Sequence, residues 1–252
     1  EISEDDRNLH RRTMELYAAM VAHLDSEIGR LLSYLEESGQ LDNTYIIYHN
    51  DNGPDAGPMF DFRSQISRFD NSLENLGNRN SWVNNDQGWA DALSAPYRRD
   101  KGSLFEGGIR VAAFIRPPNS ELFGRVSNSM LTVMDVLPTI LDLADIDESL
   151  INSSGQKVLP IRGKSFTNLL HDTGFQVHSN DEYIALDHAG HSWLTEGDWK
   201  ILRVATEEDW QLYNVSNDPM ELDNLAVIHN DKLIDLVQKF QSHAEQNGII
   251  KR

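Results

Sequence analysis

The 252-residue chain contains no cysteine, which excludes disulfides, thiolate metal sites and a cysteine nucleophile within it. No run approaches the ~20 consecutive apolar residues that a membrane-crossing helix needs, so no membrane partner is expected. Basic residues are scarce: 22 Lys and Arg against 40 Asp and Glu leave a formal net charge of −18. A surface of that sign repels phosphate backbones, so nucleic-acid binding is not expected. It also fails to steer small anions from a distance, so an anion site here must rely on local cations. The opening Glu1-Ile2-Ser3-Glu4-Asp5-Asp6 has neither an initiator Met nor a charged-then-apolar leader, and it reads as the middle of a longer protein.

What is present argues for a folded α/β protein. The hydrophobic fraction of 39% and five Trp exceed what a disordered chain carries, and the length allows one large domain or two smaller ones. Tyr17, Met20, Val21, Leu24, Ile28, Leu31, Leu32 and Leu35 recur at three- and four-residue steps. That spacing predicts one amphipathic helix over 9–38, closed by Gly39. Thr44 to Tyr48 is a β-branched and aromatic run that predicts a buried strand. A helix, a short turn and such a strand make half of a right-handed crossover, with the polar His49-Asn50-Asp51-Asn52-Gly53 at the strand's C-terminal end, where α/β sheets bind ligands.

Residues 54–100 read as a long irregular segment, a length that ordered domains seldom carry without functional cause. Val111 to Ile115 predicts another core strand, and 132–144 a helix with Val136, Leu137, Ile140, Leu141 and Leu143 inward. A division falls near residue 172. Residues 1–172 form an α/β portion, and 173–252 a smaller subdomain with strands near 183–187, 199–204 and 211–215. A terminal helix there carries Leu233, Leu236, Val237 and Phe240 on one face.

Two segments carry chemistry. Asp51-Asn52-Gly53 offers a carboxylate and an amide oxygen on a tight turn, a pair suited to a hard cation; a plain Asx turn has the same composition. In Lys101-Gly102-Ser103-Leu104-Phe105-Glu106-Gly107-Gly108-Ile109-Arg110, a lysine beside a glycine can approach an anion closely, or the lysine simply lies in solvent.

Taken in order, these segments resemble the sulfatase family. The matching features are an Asp-Asn-Gly turn after a strand, a Lys-Gly-x-x-x-Glu-Gly-Gly-x-Arg-Val segment, and the helix of Asp135-Val136-Leu137-Pro138-Thr139. They continue with Gly197-Asp198-Trp199-Lys200, Leu212-Tyr213-Asn214 and Asp218-Pro219-Met220-Glu221. Asp70-Asn71-Ser72-Leu73-Glu74-Asn75 is similar to the bacterial arylsulfatase branch in particular. The resemblance implies part of an alkaline-phosphatase-like α/β sandwich with a smaller C-terminal antiparallel-sheet-plus-helix subdomain. It also implies hydrolysis of sulfate monoesters to an alcohol or phenol and sulfate. Substrates would be a sulfate-ester small molecule or a sulfated glycan, and the location periplasmic or secreted. A formylglycine nucleophile and a bound Ca2+, or Mg2+ in its place, belong to the family's chemistry. By this resemblance Asp51 and Asn52 match metal ligands, and Lys101 matches the lysine that contacts the sulfate and the leaving oxygen. His188 and His191 become secondary candidates for substrate contact.

The nucleophile motif and the first Asp pair of the family have no counterparts in this sequence, so an N-terminal half is an expected partner and the chain alone is expected to be inactive. Ser94-Ala95-Pro96-Tyr97-Arg98 fits the nucleophile pattern superficially but lies downstream of the Asp-Asn-Gly turn, and it is read as coincidence. A phosphoester hydrolase of the same superfamily, or an inactive truncated fragment, are the competing expectations.

Overall fold

A computed structural model describes residues 2–57, 68–118, 124–147 and 159–249. Helix α1 runs Glu4–Glu37, five residues longer at its start than the apolar period predicts. The reason is local: the Ser3 hydroxyl accepts from the Asp6 amide at 3.1 Å, and Glu4, Asp5 and Asp6 face the positive end of the helix dipole. Gly39 follows in the left-handed conformation at φ +70°, as a C-terminal glycine should.

Strand β1, Ile46–His49, pairs with β2, Ala113–Arg116. The pairing is antiparallel, Ile47 opposite Ile115 and Tyr48 opposite Phe114, so the expected right-handed crossover does not describe β1's partner among the described residues. Burial also departs from expectation. Only Thr13 of α1 is buried, while Met20 is 61% and Leu31 58% exposed. Phe114, read as core, is 57% exposed and stacks on Tyr48 at 4.9 Å. In helix α4, Val136–Leu143, Leu141 is buried but Leu137 and Ile140 are exposed. A period of 3.6 or 2 marks which face is apolar; it does not say what covers that face.

Among its described residues the expected irregular segment holds one short helix, α2, Gln87–Ser94, capped by the Asp86 side chain, which accepts from the Trp89 amide at 2.9 Å. The Trp89 indole donates to the His10 carbonyl at 3.0 Å and the His10 ring pairs with Asp86, so this segment is fastened to α1. A four-residue helix, α3, spans Glu106–Ile109. Residue 58 to residue 67 of the segment lie outside the described residues.

The remaining strands are β3, Tyr183–His188, β4, His191–Glu196, β5, Trp199–Arg203, and β6, Gln211–Asn214, in an antiparallel meander of that order. β4 was not expected. Five of its six residues are buried, so it shows no alternation of apolar and polar positions, and its signal in sequence is correspondingly weak. The double burial follows from the packing. One face (Trp193, Leu202, Tyr213) clusters with Leu104 and Phe105 from the lysine segment. The other (Leu194, Ile201, Leu212) receives Leu236 and Phe240 of helix α5, Asn230–Asn247, the face that periodicity predicted.

Helix α5 is also tied to β4 by charge. Burial alone would raise the Glu196 carboxyl; the ammonium groups of Lys232 and Lys239, at 2.7 and 2.6 Å, outweigh it and hold the group below its ordinary value of 4.5. A carboxyl depressed in the folded state is protonated first in the unfolded chain. Its stabilisation is therefore present above 4.5 and is lost as pH falls through the folded value. In thermal melts over acidic pH, Glu196→Gln should flatten the fall in Tm relative to wild type. Parallel curves would show that Glu196 carries none of the acid sensitivity.

Candidate active site

The Asp51 turn and the Lys101 segment, distant in sequence, are joined by backbone hydrogen bonds. Beyond the end of β1 the Asn50 amide donates to the Ala112 carbonyl at 3.2 Å, the Gly53 amide to Gly108 at 2.9 Å, and the Lys101 amide to Pro54 at 2.9 Å. Glycine is required at these crossings. A Cβ on Gly53 would stand 1.9 Å from the Gly107 carbonyl oxygen, and one on Gly108 would stand 2.3 Å from that of Ser103. The close approach of the two segments therefore depends on glycine at both positions.

The side chains at this junction have contrasting partners. Asp51 is exposed, and its carboxylate forms no hydrogen bond or ion pair with another described residue. The Asn52 amide nitrogen donates to the Gly53 carbonyl at 2.7 Å, which commits the nitrogen and leaves Oδ1 as the acceptor. Two adjacent oxygen donors without competing partners suit a hard cation. Among the described residues no group of three or more His, Cys, Asp or Glu forms a metal cluster. Lys101, 39% exposed, places its ammonium 3.2 Å from Asp55 Oδ2. A cleft of about 430 Å³ beside the turn is lined by Tyr17, Asn52, Gly53, Tyr97 and Arg110, with the Arg110 guanidinium 4.8 Å above the Tyr97 ring.

His188 and His191 face each other across the β3–β4 hairpin, whose turn residues Ala189 and Gly190 both have positive φ. They share the sheet face of Trp193, which packs on Leu104 and Phe105. The structure thus brings Asp51, Asn52 and Lys101 to one junction, with the histidines at the hairpin end of the face that packs on the lysine segment.

Charge pairing at the base of this junction was not legible from sequence. Lys200 of β5, 1% exposed, lies 2.8 Å from Glu106 Oε1 and 2.7 Å from Glu221 Oε1. Glu221 is fully buried, and burial pushes its carboxyl above the ordinary value even with Lys200 beside it. All three residues stand inside the motifs that carry the sulfatase resemblance, and that was the available signal. Asp135, from another of those motifs, is likewise buried, accepting from the Lys164 amide at 2.8 Å and contacting the His178 ring at 3.0 Å.

The sulfatase family profile matches residues 2–146, and that of the C-terminal region of N-sulphoglucosamine sulphohydrolase matches 98–247. An uncharacterised sulfatase of Schizosaccharomyces pombe is 38% identical over 99% of this chain and 46% of its own length. An arylsulfatase of Klebsiella aerogenes is 32% identical over 66% of this chain and 36% of its own. A structure described as solved in complex with neocarrahexaose superposes with a TM-score of 0.65 at 24% identity, over 90% of this chain and 42% of the other. The chain thus spans less than half the length of these relatives. The alkaline-phosphatase-like α/β fold of sulfatases accommodates both the β1–β2 pair and the C-terminal sheet. By sequence profile over more than half its length, and by fold, the chain belongs to the sulfatase family.

Proposed function

We propose that this chain is the C-terminal part of an arylsulfatase that hydrolyses sulfate monoesters. It supplies Asp51 and Asn52 to a metal site and Lys101 to the reacting sulfate, and the nucleophile comes from outside the chain. The carrying observation is the backbone-bonded junction of the Asp51 turn with the Lys101 segment. Calcium, or magnesium in its place, would draw charge from the sulfate oxygens when bound there. Lys101 acts by proximity: a compact ammonium beside the bridging oxygen favours charge that develops as the S–O bond breaks. The Asp55 carboxylate, 3.2 Å away, orients that ammonium between turnovers. The substrate is an aryl sulfate or a sulfated sugar. A Bacteroides thetaiotaomicron relative, 26% identical, is named an N-acetylglucosamine-6-O-sulfatase, and a structural neighbour with a TM-score of 0.60 is described in complex with D-glucosamine-2-N,6-O-disulfate. A periplasmic or secreted setting is part of the same proposal and rests on the family resemblance alone.

Phosphoester hydrolysis is the second reading, because phosphonate monoester hydrolases share the fold, one from Silicibacter pomeroyi with a TM-score of 0.54 at 20% identity. The deciding assay gives the full-length protein 4-nitrophenyl sulfate, 4-nitrophenyl phosphate and a 4-nitrophenyl phosphonate, which share one leaving group. A higher kcat/KM for the sulfate is the expected result. A preference for either phosphorus ester would replace the sulfatase reading with the second one.

A further inference from the structure

Glu221 closes the loop that carries Lys101 at both ends. Its carbonyl oxygen accepts from Arg98 Nη1 at 2.7 Å, before the lysine, and its Oε2 accepts from the Glu106 amide at 2.7 Å, after it. Between these anchors the Gly107 amide donates to the Arg98 carbonyl at 3.1 Å, and the Arg98 guanidinium lies 4.4 Å from the Phe105 ring centre. Lys200 bridges the second anchor by contacting the carboxylates of both Glu106 and Glu221. The loop then passes this constraint to the metal-side turn, since Gly108 and Pro54 carbonyls take the Gly53 and Lys101 amides.

Glu221 holds this place with φ at +53°, a left-handed conformation that a non-glycine residue adopts only when its surroundings impose it. Buried ion clusters give little net stability over an apolar isostere of the same volume, but they do specify one arrangement of the groups that they join. The groups joined here are a strand, the 218–221 turn and both ends of the Lys101 loop.

We infer that Glu221, with Lys200 as its counter-ion, is a positioning residue that sets the place of Lys101 through the loop's two ends. The inference rests on the catalytic reading of Lys101 given above. Its chemistry is geometric: misplacement of a catalytic group by about 1 Å can cost up to 10²-fold in rate even when the altered residue is remote.

The test is a double-substitution cycle in the full-length enzyme, on an aryl sulfate with a poor leaving group. Glu221→Ala should lower kcat about 10- to 100-fold with a smaller change in KM. The same substitution in a Lys101→Ala background should cost less than about twofold, because the group being positioned is already gone. Equal losses in the two backgrounds, or no loss in the first, would overturn the inference and leave Glu221 a stabilising residue only. Should Glu221→Ala fail to fold, Glu221→Met repeats the cycle, since it fills nearly the same volume and removes the acceptor for the Glu106 amide. A loss confined to the background that retains Lys101 supports the clamp, and any other pattern refutes it. If Lys101→Ala alone leaves kcat unchanged, the catalytic reading fails and takes the clamp's catalytic role with it. If Lys101→Ala is costly but the two losses add, only the clamp fails.

Discussion

Lys101→Ala in the full-length enzyme is expected to lower kcat on an aryl sulfate with a poor leaving group by about 10²–10³-fold, with folding intact. The physical basis is that charge grows on the bridging oxygen as the S–O bond breaks. An ammonium beside that atom therefore interacts more strongly with the transition state than with the bound ester, and losing it appears in kcat more than in KM. The penalty should shrink for esters of good leaving groups, whose departing oxygen carries its charge unaided. The fold should tolerate the change, because Lys101 is partly exposed and its partner is the exposed Asp55; pairs of that kind contribute at most about 1 kcal/mol. Lys164→Ala is the matched control. Lys164 forms an ion pair with Glu182, outside the contacts that join the Asp51 turn to the lysine segment, and its loss should leave kcat unchanged. An unchanged kcat for Lys101→Ala on the poor leaving group would remove Lys101 from the chemistry.

Asp51→Ala should lower activity by more than about 10²-fold and bound calcium together, since even residues that only support metal ligands cost 10- to 100-fold when lost. The Asp51 carboxylate has no partner among the described residues, so removing it should change the stability of the metal-free protein by no more than about 0.5 kcal/mol. That separates a ligand from a structural residue. Chelation should lower the Tm of the wild-type enzyme, because metal that binds only the native state stabilises it by mass action. The Asp51→Ala enzyme, already without metal, should not respond. A variant with normal calcium content and normal rate would show that the turn is an Asx turn and nothing more.

How far the sequence could be read varied with the kind of information each element needed. The start of α1 was legible in principle, from Ser3 and the acidic residues that follow it, because a cap is a local interaction. β4 was hidden because both its faces are covered, by Leu104 and Phe105 on one side and Leu236 and Phe240 on the other, which removes the alternation that would announce a strand. Phe114 and Leu137 were assigned to a core they do not enter, since apolar composition reports a preference for burial and not the presence of a neighbour. Glu106, Lys200 and Glu221 stood in recognisable motifs, but pairing across three elements has no periodic or local signature.

By itself the sequence determined the family, from the order of its motifs, and the helix of α1, the Asp51 turn and the face of α5 that packs, because each of these elements rests on contacts between residues a few positions apart. The tertiary structure alone decided that β1 pairs antiparallel with β2, that Lys200 is buried between two carboxylates, and that the Lys101 loop is closed at both ends by Glu221. Those outcomes depend on which distant segments meet, and for the last two it is the packing of the C-terminal sheet against the lysine segment that brings them together.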